Sequence, residues 1–131
     1  MDSTKNIFSG NIIFEYTRAQ AISDGALVDL STDFPSDTRM FKFPLAASAA
    51  VWTLIESAAE AENVEVALYV WDVAYMCHNA IRMNRKPGSS QLFFKVTLPL
   101  IENGTEHKLK LVCGPGDNGE PVLTIMLPEE D

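Results

Sequence analysis

The spacing of apolar and polar positions changes period along the chain, and each change marks an element. Residues Ile7 to Glu15 are rich in apolar side chains, and Ile12-Ile13-Phe14 suits a short strand or an extended arm. Thr17 then offers a side-chain oxygen to a helix whose third position is Gln20, a Thr-x-x-Gln capping box, and Gly25 supplies a left-handed stop. This predicts a short helix over Arg18 to Asp24. Ala26 to Leu30 reads as a brief strand, and Ser31 to Asp37 as turn chemistry. From Leu45 onward, Leu45, Trp52, Ile55 and Ala59 fall on one helical stripe, with Pro44 in the first turn, where its missing N–H costs little.

A longer helix is expected from Val64 to Asn84. Val66, Val70, Val73, Cys77, Ala80 and Ile81 form its apolar stripe, and Leu68, Trp71, Tyr75 and Met76 widen it toward full burial. Glu65, Asp72, Asn79 and Arg82 are left as the line facing water. Arg85 and Lys86 suit the negative end of the helix dipole, and Pro87-Gly88-Ser89-Ser90 breaks the helix. The last third reads as strands. Leu92 to Leu98 alternates in part, and the Asn103-Gly104 turn leads into His107 to Cys113. There Leu109, Leu111 and Cys113 share one face, with Lys108, Lys110 and Val112 on the other. Gly114 to Glu120 reads as a hairpin turn before Val122 to Leu127, and Glu129-Glu130-Asp131 as a solvated tail. The predicted fold is a single α+β domain over residues 1–131, an antiparallel sheet of three to four strands with two main helices packed on one face.

Composition changes this picture mainly through charge. The 131 residues carry a formal net charge of -8, which argues against direct contact with a nucleic-acid backbone and favours a basic protein partner. Residues 1–72 hold 11 acids and 4 bases, so the negative field belongs to the first half. No apolar run is long enough to span a bilayer, and Met1 to Asn6 lacks the apolar core of a secretory signal, so a cytoplasmic protein without a membrane partner is expected. Cys77 and Cys113, the two cysteines, lack disulfide-framework spacing and read as buried thiols.

Candidate chemistry is sparse. Cys77 and His78 are consecutive on a helix and point about 100° apart, so they cannot pair as nucleophile and base. Cys77, His78, His107 and Cys113 offer no paired metal-ligand spacing, and no metal or other cofactor is expected. The Gly114 to Gly119 run lacks the Lys and Ser or Thr of a phosphate loop. Trp52 and Trp71 read as core anchors. Two sets of residues remain. Asp24, Asp29, Asp33, Asp37, Glu56, Glu60, Glu62 and Glu65 make an acidic patch for a basic protein surface if they share one side. Tyr16, Arg18, Asp72 and Arg82, together with Asp24, are the alternative ligand-binding set.

Several blocks also carry a resemblance. Ile13 to Ile22, Asp24-Gly25, Leu27 to Leu30, Val51-Trp52, Trp71-Asp72-Val73, Ala80-Ile81-Arg82, Leu111 to Asp117, Gly119-Glu120-Pro121 and Thr124 to Pro128 resemble an uncharacterised family of small proteins of bacteria, their phages and plasmids. The resemblance implies an accessory protein of a mobile element, acting without catalysis in a bacterial cytoplasm. With the charge, it points to an inhibitor, of the anti-CRISPR or anti-restriction type, that occupies the basic nucleic-acid-binding surface of a host defence complex. A small enzyme or ligand-binding domain, and a homodimer paired through a sheet edge or an aromatic patch, are the rival expectations.

Overall fold

The computed structural model describes residues 16–84, 88–100 and 104–131. Their elements run α1 (Arg18–Asp24), β1 (Leu27–Asp29), α2 (Leu30–Asp33), β2 (Leu45–Ser48), α3 (Ala49–Glu62), α4 (Val66–Met83), β3 (Gln91–Leu100), β4 (Gly104–Pro115) and β5 (Pro121–Met126). The possible strand at Ile12-Ile13-Phe14, the basic pair Arg85 and Lys86, Pro87, and the Glu102-Asn103 half of the expected turn lie outside the described residues.

Local chemistry sets α1. The Gln20 amide donates to Thr17 Oγ1 and the Thr17 amide to Gln20 Oε1, both at 3.0 Å, and Gly25 at φ 84° ends the helix. Immediately after β1, the segment read as turn chemistry contains one helical stretch, α2, capped by Asp29, whose carboxylate accepts from the amide and hydroxyl of Thr32.

The expected helix from Leu45 is corrected. Leu45–Ser48 is a strand, and the helix starts at Ala49, capped by Ser48, whose hydroxyl accepts from the Val51 amide. Alanine is the best helix former, but propensity is worth only tenths of a kcal/mol per residue, and pairing with two flanking strands overrides it. Residues 46–48 pair with β1, residues 45–47 with β5, and the Leu45 amide is held by Ser31 Oγ at 2.7 Å. The sheet therefore has five strands rather than three to four, in the order β1-β2-β5-β4-β3. It is antiparallel except where β2 runs parallel to β5.

Strand alternation sends Leu45, Ala47, Leu123, Ile125, Leu109, Leu111, Phe94, Val96 and Leu98 to one face, where they meet Val51, Ile55 and Ala58 of α3 and Val70, Val73 and Cys77 of α4. Each fully buried Leu, Ile or Val here contributes roughly 1.5–3 kcal/mol. The two main helices thus share one face. The second face is covered only in part: α1 and the segment after β5 lie over β2 and β5, burying Ala21, Ala46, Val122 and Met126. Because β5 is covered on both sides, it reads as nearly continuous apolar sequence, as parallel-paired strands do. The second face of β3 and of β4 around Lys108 is open, with Phe93 exposed and Lys108 Nζ 4.8 Å from its ring centroid.

Three further expectations change. α4 is a surface helix, not a fully buried one: Tyr69, Val70, Val73, Ala74 and Cys77 are buried, while Leu68, Trp71, Tyr75 and Met76 face outward. Only one side of α4 meets the sheet and α3, so the extra apolar residues stay partly exposed, Tyr75 and Met76 reaching β3 only at the border of a small cavity with Val96 and Thr97. Cys113 lies on the expected face but near the open end of β4, and is exposed. The acidic tail is folded back. Glu130 Oε2 accepts from Ser48 Oγ and from the Leu127 amide, both at 2.7 Å, and Lys110 Nζ donates to the Glu130 carbonyl, which buries this lysine on the second face.

Candidate functional site

Where α1, the β4–β5 hairpin and the folded-back tail meet on the second face, they leave a cleft of about 620 Å³. Tyr16, Thr17 and Arg18 form part of one wall and Pro115, Gly116 and Asp117 another, with Ser48, Met126, Glu130 and Asp131 among the rest of the lining. The hairpin is shaped for this contact: the Gly116 amide donates to the Glu120 carbonyl and Gly119 turns the chain at φ 82°. That turn aims Asp117 at the start of α1, where its two carboxylate oxygens accept from the Arg18 and Ala19 amides at 2.8 and 3.0 Å. A carboxylate in this position satisfies two orphan amides and meets the positive end of the helix.

Arg18 is the cation in the cleft wall, and its guanidinium is already committed to the sheet. Nη1 donates to Thr124 Oγ1 at 2.9 Å and Nη2 to the Leu123 carbonyl at 2.8 Å. Burial pulls the group below the ordinary arginine value, against the opposing pull of Asp29, Asp117 and Glu120. Tyr16 is exposed, and its hydroxyl donates to Asp24 Oδ2 at 2.9 Å, a bond that raises the phenol above its usual range. The cleft is thus bordered by carboxylates, with one arginine whose donors point into β5.

The acidic residues singled out in the sequence are divided by this architecture. Asp24 and Asp29 belong to the side of α1 and of the cleft, Asp29 doubling as the α2 cap. Glu56, Glu60 and Glu62 are exposed on α3, over the opposite face, and Glu65 holds the N-cap position of α4 without a side-chain capping bond. Asp33 ends α2, and Asp37 lies in the turn beyond it. The alternative ligand-binding set is also split. Tyr16, Arg18 and Asp24 sit at the cleft, whereas Asp72 and Arg82 lie on the outward side of α4. Asp72 is half-buried there, and desolvation lifts its carboxyl above the ordinary range.

The cleft's other carboxylates, Asp117, Glu130 and Asp131, were read from sequence as part of a hairpin turn and a tail. The signal that could have found Asp117 is its place in the Pro115-Gly116-Asp117-Asn118-Gly119 turn. A turn that short projects a carboxylate rigidly, but its target at α1 is 99 residues away in sequence.

Elsewhere, Cys77 is fully buried and its thiol is pushed up to about 12, which makes it inert as a nucleophile. Cys113 stands at a smaller apolar cavity of about 230 Å³ lined by Phe43, Ile81, Leu92, Leu111 and Leu123, to which neither histidine contributes. Trp52 packs against Phe34 at the edge of the core, whereas Trp71 stacks on Tyr75 at the surface, with ring centroids 4.9 Å apart. Among the described residues, no group of three or more His, Cys, Asp or Glu is placed to hold a metal ion, and no helix is long and apolar enough to cross a membrane.

Over residues 4–131 the chain matches a group described as Family of unknown function (DUF6573). It belongs to that family. Neither a curated protein nor a solved structure matches it. Family membership covers both walls of the cleft, from Tyr16 to Asp131, and assigns no activity to either.

Proposed function

We propose that this protein is a non-enzymatic binding module whose acidic cleft takes a lysine- or arginine-bearing segment of a basic partner protein. One observation carries the reading. Asp117, Glu130 and Asp131 line a groove large enough for one or two side chains, and the single cation in its wall, Arg18, has its donors engaged by Thr124 and Leu123. An entering cation would meet the exposed carboxylates of Asp117 and Asp131 beside the half-buried Glu130, and no competing mobile positive charge. The net charge of -8 would speed encounter with such a partner. Two blocks that carry the family resemblance, Tyr16 to Gln20 and Gly114 to Asp117, meet at this groove, which supports its functional use. In this reading the partner is the basic, nucleic-acid-binding surface of a bacterial defence complex, and the protein is a cytoplasmic accessory of a phage or plasmid that competes with nucleic acid for that surface. The acids of α3, Glu56, Glu60 and Glu62, form a second contact region on the other side.

Titration calorimetry against candidate defence nucleases at low and physiological salt tests this. Binding should weaken with salt and fall about tenfold or more in Asp131→Lys, a change at the cleft that leaves the α1 cap intact. Loss confined to Glu60→Lys and Glu62→Lys would move the site to α3, and absence of binding to any such nuclease would remove the inhibitor reading.

A further inference from the structure

The outward side of α4 presents a surface that the cleft does not use and that touches the rest of the fold only at its border, where Asp72, Tyr75 and Met76 line a small cavity with Val96 and Thr97 of β3. At 100° per residue, Leu68, Trp71, Asp72, Tyr75, Met76, Asn79, Arg82 and Met83 fall on the half of the helix opposite buried Val70, Val73 and Cys77. Trp71 and Met83 are 42% and 74% exposed, and Trp71 and Tyr75 are already stacked, nearly parallel at 10°. At about 150–250 Å² per aromatic side chain, half-exposed, and with Leu68, Met76 and Met83 added, the apolar patch is roughly 400–500 Å². That is at the upper end of what a monomer carries, and about half of what one partner contributes to a standard-size interface.

The pattern of this face is its own complement. Asp72 lies five residues before Cys77 and Arg82 five after it. When two copies of α4 lie antiparallel about a two-fold axis level with Cys77, each Asp72 comes opposite the other copy's Arg82, twice by symmetry. Trp71 comes opposite Met83, and Tyr75 opposite Asn79. Centring the pair elsewhere along this face puts Asp72 against an apolar or uncharged side chain or against the other copy's Asp72. Within the chain, neither Asp72 nor Arg82 has a hydrogen-bond or ion-pair partner among the described residues. The sheet edges offer a poorer route to pairing. β1 has three residues, and β3 carries a register shift between Thr97 and Leu100, Pro99, and an outward Lys95, all features that blunt an edge.

We infer that this face is the interface of a reversible homodimer, formed by antiparallel pairing of α4 with α4 of a second copy, with reciprocal Asp72–Arg82 contacts fixing the register. The patch suits a dimer that exchanges with monomer, because its apolar area is too small for an obligate one. It lies across the sheet from the cleft, so pairing leaves both clefts open, and the inference stands apart from the proposed partner.

Sedimentation velocity on the full chain, from micromolar to near-millimolar concentration, tests it. The mass should rise with concentration toward twice that of the chain. Asp72→Arg and Arg82→Asp should each weaken association about tenfold or more by setting like charges opposite each other. The double variant should return to within about threefold of the parent, because it restores the pairing with signs exchanged. Far-UV circular dichroism checks that each variant is folded. A monomer across the whole range overturns the inference. So does a dimer in which the double variant stays as weak as the singles, since the register that defines the interface would then be wrong.

Discussion

Replacing Glu130 by alanine separates a solvated acidic tail from a strap that holds the second face of the sheet. In the structure the Glu130 carboxylate accepts from the buried Ser48 hydroxyl and the half-buried Leu127 amide, each at 2.7 Å. A hydrogen bond to a charged group contributes about 1.5–3 kcal/mol net, and the Ser48 donor has little access to water once its partner is gone. The Leu127 amide is nearer to solvent, so its loss adds less, about 0.5–1 kcal/mol. Lys110 Nζ keeps the Glu130 backbone carbonyl in the variant, so that contact should survive. The expected destabilisation is about 3 kcal/mol, or a fall in Tm of roughly 10 °C for a chain of this length. Urea unfolding followed by circular dichroism gives the midpoint and slope, and Glu129→Ala, at an exposed neighbour, is the control, expected within about 0.5 kcal/mol of the parent. Glu130→Gln, which keeps an acceptor oxygen without the charge, should fall between the two. If Glu130→Ala unfolds at the same urea concentration as Glu129→Ala, the strap contributes nothing and the sequence reading of a free tail was right.

Two more outcomes follow from the same geometry. Cys113 should react at once with a thiol reagent in native buffer while Cys77 reacts only on unfolding. Because the folded Cys77 thiol is raised from 9.0 to about 12, its contribution is complete below about pH 9 and is lost as pH rises toward 12, up to about 4 kcal/mol, a slope that Cys77→Ala should remove. Arg18→Met, which keeps much of the side chain's length but loses its donors to Thr124 and Leu123, should cost about 2–3 kcal/mol in urea unfolding, and a variant as stable as the parent would show that α1 does not depend on this anchor.

Elements whose chemistry is local were legible in the sequence. Thr17, Gln20 and Gly25 fixed α1 because a cap acts within four residues, and the alternation in β4 placed Leu109 and Leu111 in the core. The misreadings share a cause in long-range contacts. Leu45–Ser48 looks helical until β1 and β5 are beside it, and Ser48, a good cap, marked the true helix start within the sequence itself. The apolar residues on the outward side of α4 resembled core residues because hydrophobicity does not say whether a neighbour exists. Glu130 and Asp117 were invisible as site residues for the same reason: their partners at Ser48 and Arg18 lie 82 and 99 positions away. Of the residues proposed for the alternative site, Tyr16, Arg18 and Asp24 lie together beside the cleft, while Asp72 and Arg82 belong to another surface.

The place of β5 constrains how the chain can assemble. It follows every other strand in sequence, yet sits between β2 and β4 and pairs with both. Before it docks, the β1–β2 ladder and the β3–β4 hairpin have no hydrogen bond in common, and each offers a raw rim to any stray extended peptide. A nascent chain would therefore hold two half-sheets under α3 and α4, and the final insertion of one strand would close both at once. Cooperativity between the two halves of the molecule should concentrate in that single step.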